Sequence, residues 1–395
     1  MISKFILLLL ASTAISLNSN AEDTPENPKP FAHPGLLHTL TDFERMREKV
    51  AQKQEPWTAG WEKLAANRHA ALNWKPNPKD IVYRGLDGDK HPENYSSLYN
   101  DAAAAYALAL RWRISGDTAY ADKAVETLNA WGSTLTSIRG TSDRFLASGI
   151  YGYQMANAAE ALRGYAGWKP ADFERFQKMM LDVFYAMNHD FLTHHNGAKI
   201  DHYWANWDLV NMSSMLAIGV LTDRREIYNE ALEYFRKGEG NGSITHFVWK
   251  LHEGDLGQIQ ESGRDQGHAT MCIGLIGAFC QMAWNQGDDL FSFDDNRVLK
   301  GAEYVAQYNL GKDVPYAPYS NSDVKQPVIS EVGRGTIRPI WELLYNQYVV
   351  RKGLKAPNIE AFAVKVRPEG GGGDYGPNSG GFDQLGYGTL TCTLK

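Results

Sequence analysis

The stretch LYNDAAAAYALALRWRISGDTAYADKAVETLNAWG, residues 98–132, carries the pattern that decides the fold. An alanine-rich helical period, Leu98–Ser115, is followed by the break Ser115-Gly116-Asp117 and by a second helical period, Thr118–Gly132. Helices joined by so short a turn lie antiparallel. The stretch is therefore predicted to form a helical hairpin.

The same arrangement recurs from Thr41 to Val350, and strand signals are scarce. A series of hairpins buries its apolar faces by closing into a ring of inner and outer helices. The predicted fold is all-α, an (α/α) toroid or incomplete barrel. The other predicted helices are Thr41–Lys53, Phe145–Tyr165, Pro170–Met187, Asn206–Leu221, Arg225–Lys237, Gly263–Asn285, Asp295–Asn309 and Ile337–Val350.

The inner helices of such a ring run parallel, so their N-termini open on one face. Segments rich in small residues pack most closely and are predicted to be the inner set: Ala102–Ala109, Ala156–Ala161, Met212–Gly219 and Gly274–Ala283. The helix mouths on the open face are unusually polar and aromatic. They hold Tyr99, Asn100, Tyr151, Gln154, Asn206, Trp207, Arg264, Gln266, His268, Arg334 and Arg338.

Charge and cysteine content exclude several classes of protein. The 395 residues include 40 Lys and Arg against 46 Asp and Glu, a net charge of −6, with no basic arm or stripe. Nucleic-acid binding is therefore not expected, and an anionic partner would need a local cationic cleft. Three cysteines, an odd number, do not form a disulfide framework.

The N-terminus has the pattern of an export signal over residues 1–21. Lys4 precedes the apolar run Phe5–Leu10, and the small-residue sequence Ser19-Asn20-Ala21 follows. The apolar run is too short to span a bilayer. The chain is thus predicted to be exported to the periplasm or the extracellular space, with no membrane span.

The C-terminal part differs from the ring in composition. Residues 22–350 are assigned to the toroid, and residues 351–395 form a glycine-rich extension. Phe382, Leu385, Tyr387 and Leu390 favour docking of this extension on the ring, as a loop and a short strand.

The densest polar cluster is the run Gln260 to His268. Ser262 or Gly263 can start a helix, which would place Arg264 and His268 four residues apart on one face. A cation, an amide and an imidazole then stand together at a helix mouth, where charge is most easily used. The alternative interpretation is structural: these residues cap the helix, and the hydrogen bonds of the histidine are satisfied within the fold.

Two further clusters are expected on the open face. The run His202 to Asp208 opens another inner helix, where Asn206 is either functional or a simple N-cap. The connection 310–333 carries Tyr316 and Tyr319 and follows Tyr308. A Pro-stiffened loop of this kind often supplies functional side chains. Metal binding by His194, His195 and His202 is disfavoured, because no metal-ligand spacing is present.

Three motifs resemble the alginate lyase superfamily of secreted bacterial polysaccharide lyases. They are the run Ile259 to His268, the stretch Tyr308 to Tyr319 and the opening His33 to His38. The resemblance implies an (α/α) toroid that cleaves polyuronates by β-elimination with an asparagine, a histidine, a tyrosine and an arginine, and without a metal or other cofactor. In the best-known branch the asparagine is followed by histidine. Here Trp207 follows Asn206, so the histidine role moves to His268.

The residue types fit this chemistry. Removing the C5 proton of a uronate requires neutralisation of the adjacent carboxylate, which Asn206 and Arg264, with Gln266, can provide. His268 can act as base on one sugar epimer or help to neutralise the carboxylate. A tyrosine, Tyr319 before Tyr316 or Tyr308, can protonate the leaving O4. A tyrosine that serves as both base and acid would need a pKa lowered by Arg264, Arg334 or Arg338.

Two other functions fit the composition. A glycoside hydrolase would pair Glu261 or Asp265 with Asp208 or Glu331, one of them with a raised pKa. A non-catalytic carbohydrate-binding envelope protein would use the 15 Phe, 11 Trp and 20 Tyr as stacking platforms. The leading hypothesis is a lyase that cleaves alginate or β-1,4-glucuronan.

Overall fold

Helices form most of the computed structural model, in which residues 29–86, 91–372 and 382–395 are described. In chain order the α-helices of these residues are α1 (Leu40–Ala51), α2 (Trp57–Ala66), α3 (Ser96–Ser115), α4 (Thr118–Thr134), α5 (Arg144–Ala161), α6 (Pro170–Met179), α7 (Ala186–His194), α8 (Ala205–Leu221), α9 (Arg225–Lys237), α10 (Ile244–Phe247), α11 (Gln266–Asn285), α12 (Phe293–Asn309), α13 (Trp341–Tyr345), α14 (Pro357–Val366) and α15 (Gly388–Thr391).

Short irregular helices and two-residue or three-residue strands connect these elements. π-helical turns at Met180–Tyr185 and Asn346–Arg351 follow α6 and α13. The described strands pair in twos, which fits the scarcity of strand signals. The pairs are β1 (Ile81–Tyr83) parallel to β2 (Ser137–Arg139), β3 (Lys250–His252) antiparallel to β4 (Leu256–Gln258), and β5 (Tyr319–Ser320) antiparallel to β6 (Lys325–Gln326).

The predicted hairpin at residues 98–132 is present as α3 and α4. Gly116 ends α3 with a left-handed φ of 78°, a conformation that glycine adopts without strain. Asp117 then caps α4 by accepting a hydrogen bond from Ala119 N at 3.0 Å. The break therefore reverses the chain within two residues.

The inner ring consists of α3, α5, α8 and α11, which pack against one another in that order. Every residue of α8 is buried. Close approach of the backbones depends on small residues: a Cβ on Gly149 would lie 2.5 Å from Val210 Cγ2, and one on Gly152 would lie 2.1 Å from Ser214 Oγ. The helices α4, α9 and α12 pack outside their inner partners. The predicted (α/α) toroid is confirmed.

Several predicted boundaries are wrong by a turn or more. Helix α5 ends at Ala161 instead of Tyr165, whereas the segment from Pro170 continues through the π-turn to His194 instead of ending at Met187. Helix α13 begins at Trp341 instead of Ile337, because Pro339 disfavours helical backbone at the residue before it. The helices α2, α10 and α14 have no counterpart among the helices predicted from the sequence.

The C-terminal segment packs on the ring. Tyr153 donates a hydrogen bond to Asp383 O at 2.6 Å, and Trp57 Nε1 donates to Thr393 O at 3.3 Å. The short strand predicted within this segment is wrong, since Gly388–Thr391 forms the helical turn α15 after Tyr387 with its positive φ of 60°.

The export signal predicted at residues 1–21 lies outside the described residues. Among the helices that the structure describes, none has the length and apolar content needed to cross a bilayer.

Candidate active site

The N-termini of the four inner helices meet at a cleft of about 660 Å³. Tyr95, Asp143 and Asp265, the residues just before α3, α5 and α11, line it together with Asn206 in the first turn of α8. The inner helices therefore open on one face, as predicted. The complete lining is Arg84, Glu93, Tyr95, Asp143, Leu146, Ile150, Asn206, Trp207, Arg264, Asp265, Gly267, His268, Met271, Thr336, Arg338 and Asp383.

Asp265 both starts α11 and orients the imidazole of His268. Its extended backbone ends the preceding turn, Oδ1 accepts from His268 N at 2.8 Å, and Oδ2 lies 2.6 Å from His268 Nδ1. Burial opposes ionisation of Asp265, but the hydrogen bonds from His268 and the nearby Arg264 charge outweigh it, so the pKa of this carboxyl is lowered. Asp265 thus remains a carboxylate that holds the ring.

The hydrogen bonds of His268 define its tautomer. Arg264 Nη2 lies 3.2 Å from His268 Nε2. Because a guanidinium only donates, Nε2 is the acceptor, and the ring proton lies on Nδ1, facing Asp265. The unprotonated nitrogen is therefore Nε2, the atom that a general base would use.

Arg264 connects the other polar groups of the cleft. Its Nη1 donates to Asn206 Oδ1 at 3.3 Å and to Glu261 Oε2 at 3.0 Å, and its guanidinium lies 4.8 Å from the Trp204 ring. Glu261 is fully buried and forms the ion pair with Arg264. The predicted meeting of Arg264 and His268 occurs, although Arg264 precedes the helix.

Asn206 is not the N-cap of α8. The cap position is Trp204, and the first amides of the helix are bound by two other side chains: Gln260 Oε1 accepts from Ala205 N at 3.1 Å, and Glu261 Oε1 accepts from Asn206 N at 3.0 Å. The side-chain amide of Asn206 therefore does not cap the helix, and its Oδ1 faces Arg264.

Of three further residues predicted at the site, Trp207 and Arg338 line the cleft and Gln266 does not. Trp207 forms a wall of the cleft and packs on Tyr203. Arg338 lines the cleft while its Nη1 donates to Asp383 Oδ2 at 2.7 Å. Gln266 is buried, and its amide joins Ser330 O to Asn309, so it connects loops instead of facing the cleft.

The tyrosines predicted on the 310–333 connection are not among the residues that line this cleft. Tyr319 OH donates to Asn241 Oδ1 at 3.3 Å and lies 3.5 Å from Gln260 Nε2, whereas Tyr316 OH donates to Gln326 O at 3.0 Å. Burial raises the pKa of Tyr316 to about 12 and also raises that of Tyr319. The lowered tyrosine pKa considered from the sequence is not found.

Tyr308 and Arg334 contact each other. The Arg334 guanidinium lies 3.9 Å from the Tyr308 ring and donates from Nε to Tyr308 O at 3.0 Å. Burial raises the pKa of Tyr308 despite this cation. Both residues lie outside the lining of the cleft.

The remaining three predicted residues also make structural contacts. Gln154 is fully buried and donates to Phe382 O. Tyr151 is fully buried beside Tyr99. Asn100 accepts from His69 Nε2 at 2.8 Å and lines a separate pocket beside Arg68 and Trp74.

Six polar residues that line the cleft are not among those singled out from the sequence: Arg84, Glu93, Tyr95, Asp143, Thr336 and Asp383. Tyr95 and Asp143 hold the N-cap positions of α3 and α5. The helices predicted from the sequence begin at Leu98 and Phe145, later than the observed starts at Ser96 and Arg144. Both the correct start of each helix and its N-cap residue are needed to find Tyr95 and Asp143. Arg84 and Glu93 come from the β1 side and carry no such signal.

The carboxylates considered as the acid and base of a glycoside hydrolase do not have the environments that hydrolysis requires. Glu261 is paired with Arg264, and the lowered pKa of Asp265 is the opposite of what a general acid needs. Asp208 is buried against His195 at 3.1 Å, and Glu331 is exposed and pairs with Arg334.

The histidines considered for metal binding have separate carboxylate partners. The pairs are His194 with Asp190, His195 with Asp208, and His202 with Asp323. In the described ranges, no three His, Cys, Asp or Glu side chains are grouped so that they could hold a metal ion.

Comparisons with known proteins agree with the fold. Alginate lyase A1-III from Sphingomonas species A1 superposes with a TM-score of 0.59 at 14% identity, over 94% of this chain and 100% of that one. An alginate lyase from Bacteroides ovatus gives 0.63 at 13% identity, over 92% and 100%. A variant of the A1-III enzyme complexed with a tetrasaccharide gives 0.64 at 15% identity, over 93% and 97%.

Sequence comparison supplies the family. A search of the curated proteins found no match. The family model described as Alginate lyase matches residues 45–314, more than half of the chain. This chain is a polysaccharide lyase and belongs to the alginate lyase family.

Proposed function

We propose that the protein cleaves a 1,4-linked polyuronate, alginate or β-1,4-glucuronan, by β-elimination that leaves a 4,5-unsaturated uronate end. The observation that carries the proposal is the convergence of one amide, one guanidinium and one imidazole on the cleft. Arg264 lies within 3.3 Å of Asn206 Oδ1 and 3.2 Å of His268 Nε2.

Asn206 and Arg264 are proposed to neutralise the carboxylate of the sugar that loses its proton. Deprotonation at C5 builds a second negative charge next to the carboxylate, and preorganised donors stabilise that charge. Arg264 is already oriented by Glu261, and Asn206 Oδ1 faces Arg264, which leaves the Asn206 Nδ2 group to donate to substrate.

His268 is proposed to be the base. Asp265 fixes the imidazole with Nε2 unprotonated. A substrate carboxylate that draws Arg264 towards itself would release Nε2 to take the C5 proton. The Asp265, His268 and Arg264 network therefore couples substrate binding to exposure of the base.

Tyr95 is proposed as the acid that protonates the leaving O4, with Tyr319 as its competitor. Tyr95 lines the cleft with His268, whereas the Tyr319 hydroxyl is bonded to Asn241. Burial raises the pKa of Tyr95 above its ordinary value of 10.0, and the opposing effect of Arg84 is smaller. A tyrosine that keeps its proton at neutral pH suits an acid.

The family and the cleft support the proposed substrate class. A structural neighbour was solved with a tetrasaccharide, and the cations of this cleft suit an anionic sugar chain. Export to the periplasm or the extracellular space, predicted from residues 1–21, would bring the enzyme to such polymers.

The test is an assay on purified protein with alginates of defined composition and with β-1,4-glucuronan. Elimination creates a C4–C5 double bond, so near-ultraviolet absorbance should rise as the chains shorten. His268→Ala should lower the rate about 10²- to 10⁴-fold. The control His194→Ala changes an exposed histidine outside the cleft and should leave it unchanged. Chain shortening without new absorbance would reject elimination.

A further inference from the structure

Arg84 is a buried cation whose position is fixed by the backbone. It follows β1, and its N–H donates to Arg139 O at 3.0 Å, which continues the β1 and β2 pairing. The residue is only 6% exposed, yet its side chain lines the cleft. Its Nη1 is buried and has no hydrogen-bond partner among the described residues.

The other arginines of the cleft have carboxylate partners. Arg264 pairs with Glu261, and Arg338 pairs with Asp383. Arg84 belongs to neither of these pairs. The rings of Tyr95 and Tyr151 lie 5.2 and 5.9 Å from its guanidinium carbon and offset part of the desolvation cost. A buried guanidinium without a hydrogen-bonded anion is still costly to the free protein.

We propose that Arg84 binds the carboxylate of a second uronate unit, next to the unit held by Arg264 and Asn206. The planar guanidinium suits a carboxylate because it can donate two parallel hydrogen bonds. The identity of the polymer rests on the proposed function. The consequence for specificity is that the enzyme recognises two neighbouring carboxylates, so a lone uronate within a neutral chain is a poor ligand.

The same wall carries Glu93 and Asp143, which would repel an anionic chain. Glu93 is held by a hydrogen bond from Gly85 N, one residue beyond Arg84. On this side of the cleft, an incoming carboxylate is therefore attracted where it meets Arg84 directly. Arg84 therefore selects a charged polysaccharide and also determines where that polysaccharide lies in the cleft.

Binding is tested with a 1,4-linked uronate tetramer and with the same tetramer reduced at its carboxyl groups. Calorimetric titration uses protein carrying His268→Ala, so that the acidic tetramer is not consumed. We expect Arg84→Met to weaken binding of the acidic tetramer about tenfold to hundredfold. Binding of the reduced tetramer should be weak and unchanged by Arg84→Met. Arg84→Lys, which keeps the charge without the fork, should fall between.

Thermal unfolding of the free protein separates this role from a structural one. Arg84→Met removes an unpaired buried charge and should leave the Tm unchanged or higher. The matched control is Arg111→Met in α3, where the guanidinium stacks on Tyr120 at 4.0 Å. That variant should lower the Tm and leave tetramer binding unchanged.

The outcomes distinguish the two proposals. The Arg84 site is overturned if Arg84→Met binds the acidic tetramer as tightly as the parent does. It is also overturned if the parent binds the acidic tetramer no better than the reduced one. Either result counts against the site even when the enzyme catalyses elimination. If Arg84-dependent binding is found but no polyuronate yields unsaturated ends, the site stands and the proposed function fails. When both hold, Arg84→Met should raise KM with kcat changed less than about threefold.

Discussion

Two regions of the open face contain the same kinds of side chain. The cleft has Arg264 with Asn206, and the C-terminal end of α12 with the connection that follows it has Asn309 with Arg334. Arg334 donates to the main-chain carbonyls of Tyr308 and Lys312 at 3.0 and 3.1 Å. Asn309 donates to Val305 O at 2.9 Å and accepts from Gly335 N at 2.8 Å, and it also donates to the buried side chain of Gln266 at 3.0 Å.

Arg264 and Asn206 differ in their partners. Their side chains bond each other, and Arg264 also bonds Glu261 and His268. The amides of the α8 N-terminus are bound by Gln260 and Glu261, which frees Asn206 from the backbone. A side chain bonded to main chain holds the fold, whereas one bonded to another side chain at a cleft can exchange its partner for a substrate group.

The tyrosines provide the largest expected effect in this comparison. Tyr95→Phe removes only a hydroxyl from the cleft lining and should lower kcat about 10²- to 10⁴-fold if that hydroxyl is the acid. Tyr319→Phe, the matched change beside Asn241, should retain most of the activity. Steady-state kinetics on the preferred polyuronate decide between them. The reverse result would move the acid to the 310–333 connection.

The two asparagines should differ in what they lose. Asn206→Ala removes one donor to the developing charge and should lower kcat about 10²- to 10³-fold with little change in Tm, since Asn206 does not cap α8. Asn309→Ala leaves Gly335 N without its acceptor and should lower the Tm at nearly normal kcat. Kinetics and thermal unfolding of both variants are the check. An active Asn206→Ala would remove this residue from the mechanism.

Arg334 should affect stability more than rate. Arg334→Ala deletes two hydrogen bonds to carbonyls and the contact with the Tyr308 ring, which should cost about 1–3 kcal/mol of unfolding free energy. We expect kcat/KM to stay within about threefold of the parent value. Denaturant unfolding and kinetics measure the two quantities, and a large kinetic loss in a stable variant would contradict the separation of the regions.

The pH profile should show the smallest effect. Because burial raises the pKa of Tyr95 and of Tyr319 above 10.0, either acid stays protonated at lower pH. Neither tyrosine should therefore cause kcat to fall as the pH rises from about 7 to about 10. A kcat that instead rises with a tyrosine-like pKa in this range would point to a tyrosinate base and away from His268.

The sequence predicts the ring well because hairpin breaks and small-residue helices are local patterns. It also predicts that Arg264, His268 and Asn206 meet, since all three follow from the shared face of the helix mouths. It does not reveal that Glu261 and Gln260 bind the α8 amides, because that contact joins residues 55 positions apart. Arg84 was missed for the same reason: only the β1 and β2 pairing brings it to the cleft.

The polar residues at the end of α12 and in the connection after it show the opposite error. Arg334 and Tyr308 have the residue types of a site, and nothing in their spacing shows that the guanidinium is committed to main-chain carbonyls. The two regions have similar residue types. They differ in the groups that their arginines hydrogen-bond, which are side chains in the cleft and main-chain carbonyls in the other region.

The most direct measurement is product analysis by mass spectrometry and NMR on a panel of defined polyuronates, with the parent protein and Asn206→Ala side by side. The account predicts oligomers with a 4,5-double bond at the new non-reducing end, each lighter by one water molecule than a hydrolysis product, formed by the parent and nearly absent with Asn206→Ala. Saturated products, or unsaturated products formed equally fast by both proteins, would contradict it.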